Sequence, residues 1–385
     1  MTEDWQQGGF GIYVHWPFCL SKCPYCDFNS HVREGVDHSA WKTALLSELR
    51  YAAKLTSNRS VRSIFFGGGT PSLMAPDTVA AIIDEVAKLW HMGNDVEVTL
   101  EANPTSVEAE KFSAFNAAGV NRLSMGIQAL NDTDLRRLGR LHSTQEALQA
   151  FDIARKYFNS VSFDLIYARQ DQSLVAWQSE LARALELAVD HLSLYQLTIE
   201  NGTRFGQLYS RGKLAGLPND DLAADMYLAT NEICEKAGLP AYEVSNYACD
   251  TARSKHNLIY WRYGDYVGIG PGAHGRITVD GQKRATVTPA HPETWLDKVH
   301  KDGFAFETAE VISNTTQGEE YLMMSLRLSE GTDLDRFATL SGYRLNSGRI
   351  QNLAREGLLT LQNNRLIASP SGRMVLNAIL KDLLV

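Results

Sequence analysis

A strand-then-helix alternation, repeated through the first two hundred residues, restricts this chain more than any other feature. Short β-rich runs stand at Gly11–Trp16, Ser63–Phe66, Val96–Glu101, Arg122–Ile127, Ser160–Tyr167 and His191–Ile199. Between them apolar residues recur at helical spacing, as in Trp41, Leu45, Leu49 and Ala52, in Val79, Ile82, Ile83, Val86 and Leu89, and more loosely from Leu174 to Leu187. Repeated βα units predict a parallel sheet and an α/β fold. Ile64-Phe65-Phe66 and Leu165-Ile166-Tyr167 are almost continuously apolar, as strands buried on both faces should be. Six units are too few for a closed eight-stranded barrel. An open six-unit barrel and a doubly wound sheet fit the pattern equally.

In either architecture chemistry gathers where strands run into loops. The unusual residues stand there: Cys19 after the first run, Gly67-Gly68-Gly69 after the second, Glu101-Ala102-Asn103-Pro104 after the third and Gln128 after the fourth, with Asp164 inside the fifth. From about Pro218 the pattern loosens into extended segments linked by glycine, at Tyr242–Val244, Tyr266–Gly270 and Arg284–Val287. The last 75 residues predict helices at Glu319–Leu328, Asp333–Leu340 and Ser347–Glu356, with Ser347 as the cap of the third. A hairpin through Asn363-Asn364 and a final helix from Ser371 complete a winged-helix order. The domains expected are therefore 1–215, 216–309 and 310–385. A winged helix often binds DNA, but the third helix offers only Arg349 and Arg355 against Glu356, so a docking or capping role is expected.

Composition narrows the classes. Hydrophobic residues make up 44% and charged residues 21%, which excludes a disordered chain. The net charge of −8 lacks the basic footprint of a nucleic-acid binder. No apolar run reaches membrane-spanning length, and Met-Thr-Glu-Asp-Trp-Gln-Gln is not a secretory leader. A soluble cytoplasmic protein is the expectation.

Three of the five cysteines, Cys19, Cys23 and Cys26, fall within eight residues as C-x3-C-x2-C. Zinc sites favour other spacings, and three thiols cannot pair off as disulfides. Iron–sulfur clusters are held by thiolates, one per iron, so three ligands leave one iron open. Pro24 stiffens the loop. Cys234 reads as a small core residue within a helical segment, and Cys249 has no evident role.

The segment Tyr-Val-His-Trp-Pro-Phe-Cys19-Leu-Ser-Lys-Cys23-Pro-Tyr-Cys26 resembles the cluster loop of the radical S-adenosylmethionine (SAM) superfamily, and more narrowly its oxygen-independent coproporphyrinogen III oxidase group. The similarity runs from about Gly11 to the C-terminus. It implies a partial (β/α)6 barrel, a 4Fe–4S cluster on Cys19, Cys23 and Cys26, and SAM chelating the open iron. Gly68, Gly69 and Thr70 of the Gly-Gly-Gly-Thr-Pro segment match residues at the methionine end of SAM. Glu101 supplies an acceptor for its ammonium, and Gln128, Arg140 and Asp164 resemble residues that hold its carboxylate and ribose. Tyr13 and Tyr25 match SAM-contacting aromatics. After Tyr167 the group commonly continues Gly-Leu-Pro where this chain has Ala168-Arg169-Gln170, so a different loop shape is expected.

Oxidases of the group carry a fourth cysteine two residues after the third, where this chain has Phe28, and a longer arm before the cluster. His256-Asn257-Leu258-Ile259-Tyr260-Trp261 instead matches the HNxxYW motif of the group's heme-chaperone branch. His256 is then the expected heme ligand, with His15, His274 and Cys249 as alternatives and a structural histidine as the plainer reading. The resemblance implies a heme carrier that delivers heme to apo-hemoproteins and takes electrons from a donor. Peripheral membrane contact through acceptors and a homodimer are compatible with it, and no nucleic acid is expected. The competing class is a radical enzyme, either a coproporphyrinogen III oxidase/dehydrogenase or one acting on another porphyrin-like substrate. A DNA-associated regulator is the third.

Overall fold

The computed structural model describes residues 3–187 and 190–384. Met1 and Thr2, at the head of the segment read for a leader, lie outside the described residues. All six expected strands form: β1 (Phe10–Trp16), β2 (Ser60–Gly68), β3 (His91–Ala102), β4 (Arg122–Gln128), β5 (Ser160–Tyr167) and β6 (His191–Gln196). They are neighbours in chain order and parallel throughout. That order decides between the two architectures. Right-handed crossovers that always step the same way put every helix on one face, whereas a doubly wound sheet reverses. The result is an open, partial barrel with its helices outside.

Five more strands extend the same sheet: β7 (Asn246–Ala248), β8 (Asp265–Ile269), β9 (His274–Val279), β10 (Gln282–Val287) and β11 (Thr308–Val311). β8 runs parallel to β1 on its free side, and β9, β10 and β11 continue antiparallel beyond it. β7 closes the other edge against β6. The additional β region is thus carried on the edges of one eleven-stranded sheet. Tyr242–Val244, expected to be extended, forms a turn. There the Glu243 carboxylate accepts from the Ser245 amide and from Asn246 Nδ2, and the strand begins only at Asn246.

The two faces of the sheet differ. Outward, Ile12, Val14, Ile64, Phe66, Val98, Leu100, Leu123 and Phe163 are buried beneath the helices His38–Leu55, Pro76–Leu89 and Thr144–Tyr157. Each such side chain contributes roughly 1.5–3 kcal/mol by leaving water. Inward stand the small polar residues Ser63, Thr99, Ser124, Ser162 and Ser193, together with the aromatic pair Tyr13 and Phe65 on β1 and β2. Register places Glu101 opposite Ser124 and Asp164 opposite Ser193. The inner face is therefore polar over most of its extent, while the Ile64-Phe65-Phe66 run is apolar on both faces, with Phe65 turned inward.

A short helix, Lys255–Trp261, forms a floor under the N-terminal ends of the strands. The Glu97 carboxylate accepts the amides of Lys255 and His256, both at 3.0 Å, which satisfies donors a helix start leaves open and complements its dipole. Beside it Asp265, fully buried, accepts Arg59 Nη1 at 2.6 Å and faces Lys283 Nζ at 3.2 Å. Gly11 is a required glycine here, since a Cβ would meet Ser63 Oγ at 2.9 Å and His256 Nδ1 at 3.4 Å.

The C-terminal region has the winged-helix order, with helices Asn314–Ser325, Leu334–Ser341 and Ser347–Arg355 and the hairpin Leu359–Gln362/Arg365–Ala368. Its own core includes Tyr321, Leu322, Phe337, Leu353 and Leu366. Asn363 and Asn364 take φ of 49° and 62°, the pair a type I′ turn demands. The third helix is capped by Asn346 rather than Ser347, and the final helix is split at Val375 into Pro370–Met374 and Leu376–Leu383. The region docks on the floor side through Arg262–Glu330 at 2.8 Å, Tyr263–Glu320 at 2.7 Å and Arg336–Asp4 at 2.8 Å. No helix among the described residues is long and apolar enough to cross a membrane.

Candidate functional site

The cysteine loop leaves β1 and is pinned to the glycine segment that leaves β2. The Gly69 amide donates to Trp16 O at 2.7 Å and the Thr70 amide to Phe18 O at 2.9 Å. A Cβ on Gly69 would meet Phe18 O at 2.8 Å and Cys19 Sγ at 3.0 Å, so only glycine permits this approach. The short strands Phe18–Cys19 and His31–Val32 close the base of the loop.

One cavity of about 150 Å³ at this rim is lined by Cys19, Cys23 and Cys26 together with Tyr25, Gly68, Gly69, Thr70, Glu101, Gln128, Arg140 and Asp164. These sequence-derived candidates, drawn from five strand ends, therefore meet at one point. Tyr13 faces a neighbouring cleft, and His256 lines neither space.

The donors are three thiols, the ligand type that holds iron–sulfur clusters. All three thiols are free and share the cavity. Thr70 Oγ1 donates to Cys19 Sγ and Arg140 Nη1 to Cys23 Sγ, each at 3.4 Å, while burial pushes the Cys19 and Cys26 thiols up. Arg140 Nη2 is fixed by Asn103 Oδ1 at 2.5 Å and Gly126 O at 2.8 Å, yet its Nε is buried without a partner. An orphaned cationic donor of this kind fits an anionic group such as a carboxylate.

Opposite it stand two carboxyls. Burial, then the neighbouring Asp164, raises Glu101 to about 8. Burial raises Asp164 to about 6, against the opposing pull of Ser193, Arg140 and Ser124. Two carboxyls under strain in one cavity fit an ammonium and hydroxyl donors. Gln128 holds φ at 73°, a left-handed backbone that is costly outside glycine, where the β4–β5 register shifts. Neither Asp164 nor Arg140 is a plain surface residue.

Sequence reasoning noted Asn103 at a strand end without giving it a role, and passed over Glu108. Asn103 bridges Arg140 to Thr70 Oγ1 at 3.2 Å. Buried Glu108 accepts the Asn103 amide at 2.8 Å and the Ser72 hydroxyl, tying the third-strand loop to the glycine segment. Position 103 in Glu-Ala-Asn-Pro was the available signal, whereas Glu108, inside a short helix, gave none. Phe28, at the missing cysteine's position, is 59% exposed and lines both the cavity and the cleft.

His256, expected as the heme ligand, lies in the floor helix, outside the lining of both the cavity and the cleft. It is 1% exposed, with Nδ1 bonded to Ser63 Oγ at 2.8 Å and Nε2 to Tyr260 Oη at 2.9 Å, so it presents no free nitrogen. His15 is likewise engaged, by Tyr13 Oη at 2.9 Å and Asn29 O at 2.8 Å. Cys249, whose amide bonds Asp190 O just before β6, lines neither space, while His274 lines the cleft. After β5, Ala168 adopts φ of 57° and buried Arg169 bonds Asp134 at 2.8 Å and Glu180 at 2.5 Å, anchoring that loop to the adjacent helices.

An incomplete parallel barrel with a three-cysteine loop after its first strand and a glycine segment after its second defines a class. The model for the radical SAM superfamily matches residues 13–173, and that for the HemN C-terminal domain matches 312–375. The Escherichia coli coproporphyrinogen III oxidase HemN, at 21% identity, has the same fold with a TM-score of 0.80 over 98% of this chain and 92% of its own. A mitochondrial radical SAM domain-containing protein 1 from Bos taurus is 40% identical over 384 residues, covering 97% of this chain and 87% of the relative. The heme chaperone HemW of Escherichia coli K12 is 38% identical over 375 residues, covering 96% and 97%. The chain belongs to the radical SAM superfamily and, within it, to the family that includes HemW and these mitochondrial proteins.

Proposed function

We propose that the protein is a heme carrier that binds heme and passes it to apo-hemoproteins, with a 4Fe–4S cluster and SAM at its rim. The observation that carries this reading is the near full-length similarity to heme chaperones, joined to Phe28 at the position of the oxidases' fourth cysteine. Residues 1–215 serve as cofactor core, 216–309 as the heme-related extension and 310–385 as a docking module, working in the cytoplasm.

In this reading Cys19, Cys23 and Cys26 would hold the cluster. Arg140 Nε would meet the carboxylate of SAM and Glu101 its ammonium, while Asp164 would accept from ribose hydroxyls. When bound, the cluster and SAM together would supply one-electron chemistry at the sulfonium. The chain's own contribution is orientation: Asn103 and Gly126 aim Arg140, and Glu108 locks the two loops that carry Thr70 and Asn103.

The test is a heme titration of anaerobically reconstituted protein, run beside an assay with coproporphyrinogen III, SAM and a reductant. Stoichiometric heme binding without turnover is expected. Protoporphyrinogen formed at catalytic rates would overturn the reading in favour of the oxidase.

A further inference from the structure

Beside the cluster cavity opens a cleft of about 410 Å³ that shares Phe28, Gly68 and Glu101 with it. Its wall is aromatic. Tyr13 and Phe65, paired in register on β1 and β2, stack at 6.2 Å with planes 24° apart. Tyr260 meets Tyr266 edge to face at 4.3 Å. Nothing assigned to the cluster or to SAM uses Phe65, Tyr260 or Tyr266.

At the mouth of the cleft stands His274, exposed, at the start of β9. Its imidazole has no hydrogen-bond partner among the described residues, whereas His15 and His256 have both ring nitrogens engaged. The backbone nonetheless fixes its place. The preceding Gly270-Pro271-Gly272 turn is pressed onto β1 and the cysteine loop: a Cβ on Gly270 would meet His15 O at 2.3 Å, and one on Gly272 would meet Asn29 Nδ2 at 2.3 Å. Asn29 Nδ2 donates to Pro271 O and Ala290 O, both at 2.9 Å. His274 is therefore held against the segment that carries Phe28 and the cluster cysteines.

An aromatic wall with one free imidazole at its open edge fits a flat, apolar macrocycle bearing a metal ion. We propose that heme docks in this cleft with His274 as its axial ligand. The inference rests on the heme-carrier reading and gives it a location. His256 then acts as a positioning residue, because its bond to Tyr260 Oη holds one wall of the cleft. The exposed mouth suits a carrier, since heme held at an open edge stays within reach of an acceptor.

The experiment is a heme titration, followed by optical and electron paramagnetic resonance spectra, on wild-type protein and three variants. His274→Ala is expected to lose the imidazole-ligated spectrum and at least about tenfold in affinity. His274→Cys should shift the spectrum to a thiolate-ligated form, a change that a merely structural role would not produce. His256→Ala should keep the wild-type ligation with weaker binding. A His274→Ala spectrum and affinity equal to wild type, or loss of ligation in His256→Ala alone, overturns the site while leaving the heme-carrier reading standing. Wild-type protein that binds no heme overturns both.

Discussion

The rim and the floor of the barrel both bury charge, and they treat it in opposite ways. At the floor the charged groups are matched: Asp265 has Arg59 and Lys283, and Glu97 caps the helix that carries His256. At the rim they are mismatched. Arg140 keeps an orphaned Nε, and Glu101 and Asp164 crowd each other in one cavity. Matched charge holds a scaffold together, and mismatched charge marks a place made for something else. Judged this way, His256 and the start of its helix belong to the scaffold, in contrast to the mismatched groups at the cysteine rim.

The largest effect should come from the thiols. Replacing Cys19, Cys23 or Cys26 with Ala should reduce iron and sulfide after anaerobic reconstitution to background. A variant with full iron content breaks the rim half of the contrast. Next comes the floor: Asp265→Ala leaves two buried cations without their anion and should cost about 3–5 kcal/mol in urea unfolding. A loss below about 1 kcal/mol would place Asp265 with ordinary surface ion pairs.

The pH dependence sharpens the rim. Glu101 and Asp164 bind protons more firmly folded than unfolded, so their contribution to stability is full below about pH 4 and is lost as pH rises through about 6 and 8. The protein without ligands should therefore lose stability between pH 5 and 8, and Glu101→Gln should flatten that slope. A slope unchanged by the substitution sinks the assignment. Gly11→Ala, the smallest change, should cost about 1–3 kcal/mol through overpacking against Ser63 and His256.

Much of this was legible in the sequence, for local reasons. The six strands, the cysteine loop and the Asn363-Asn364 turn depend on nearby residues. What escaped depends on distant ones. The pairing of Asp265–Ile269 with Phe10–Trp16 joins segments far apart in the chain, so no local pattern places the later strands on the edge of the same sheet. His256 and Tyr260 stand one helical turn apart, a spacing that lets the tyrosine take the histidine's nitrogen, but only Ser63 on β2 completes its enclosure. His274 drew less notice because its surroundings are assembled by the glycine turn against Asn29.

The contrast between the two ends is tested most directly by calorimetric SAM binding to cluster-loaded protein, with thermal midpoints measured alongside. Arg140→Gln should weaken binding by about tenfold or more at a near wild-type midpoint, since a charge-assisted bond is removed. Gly11→Ala should lower the midpoint and leave the affinity unchanged. Wild-type SAM affinity in Arg140→Gln, or loss of SAM binding in folded Gly11→Ala, would contradict the division of the barrel into a ligand-holding rim and a structural floor.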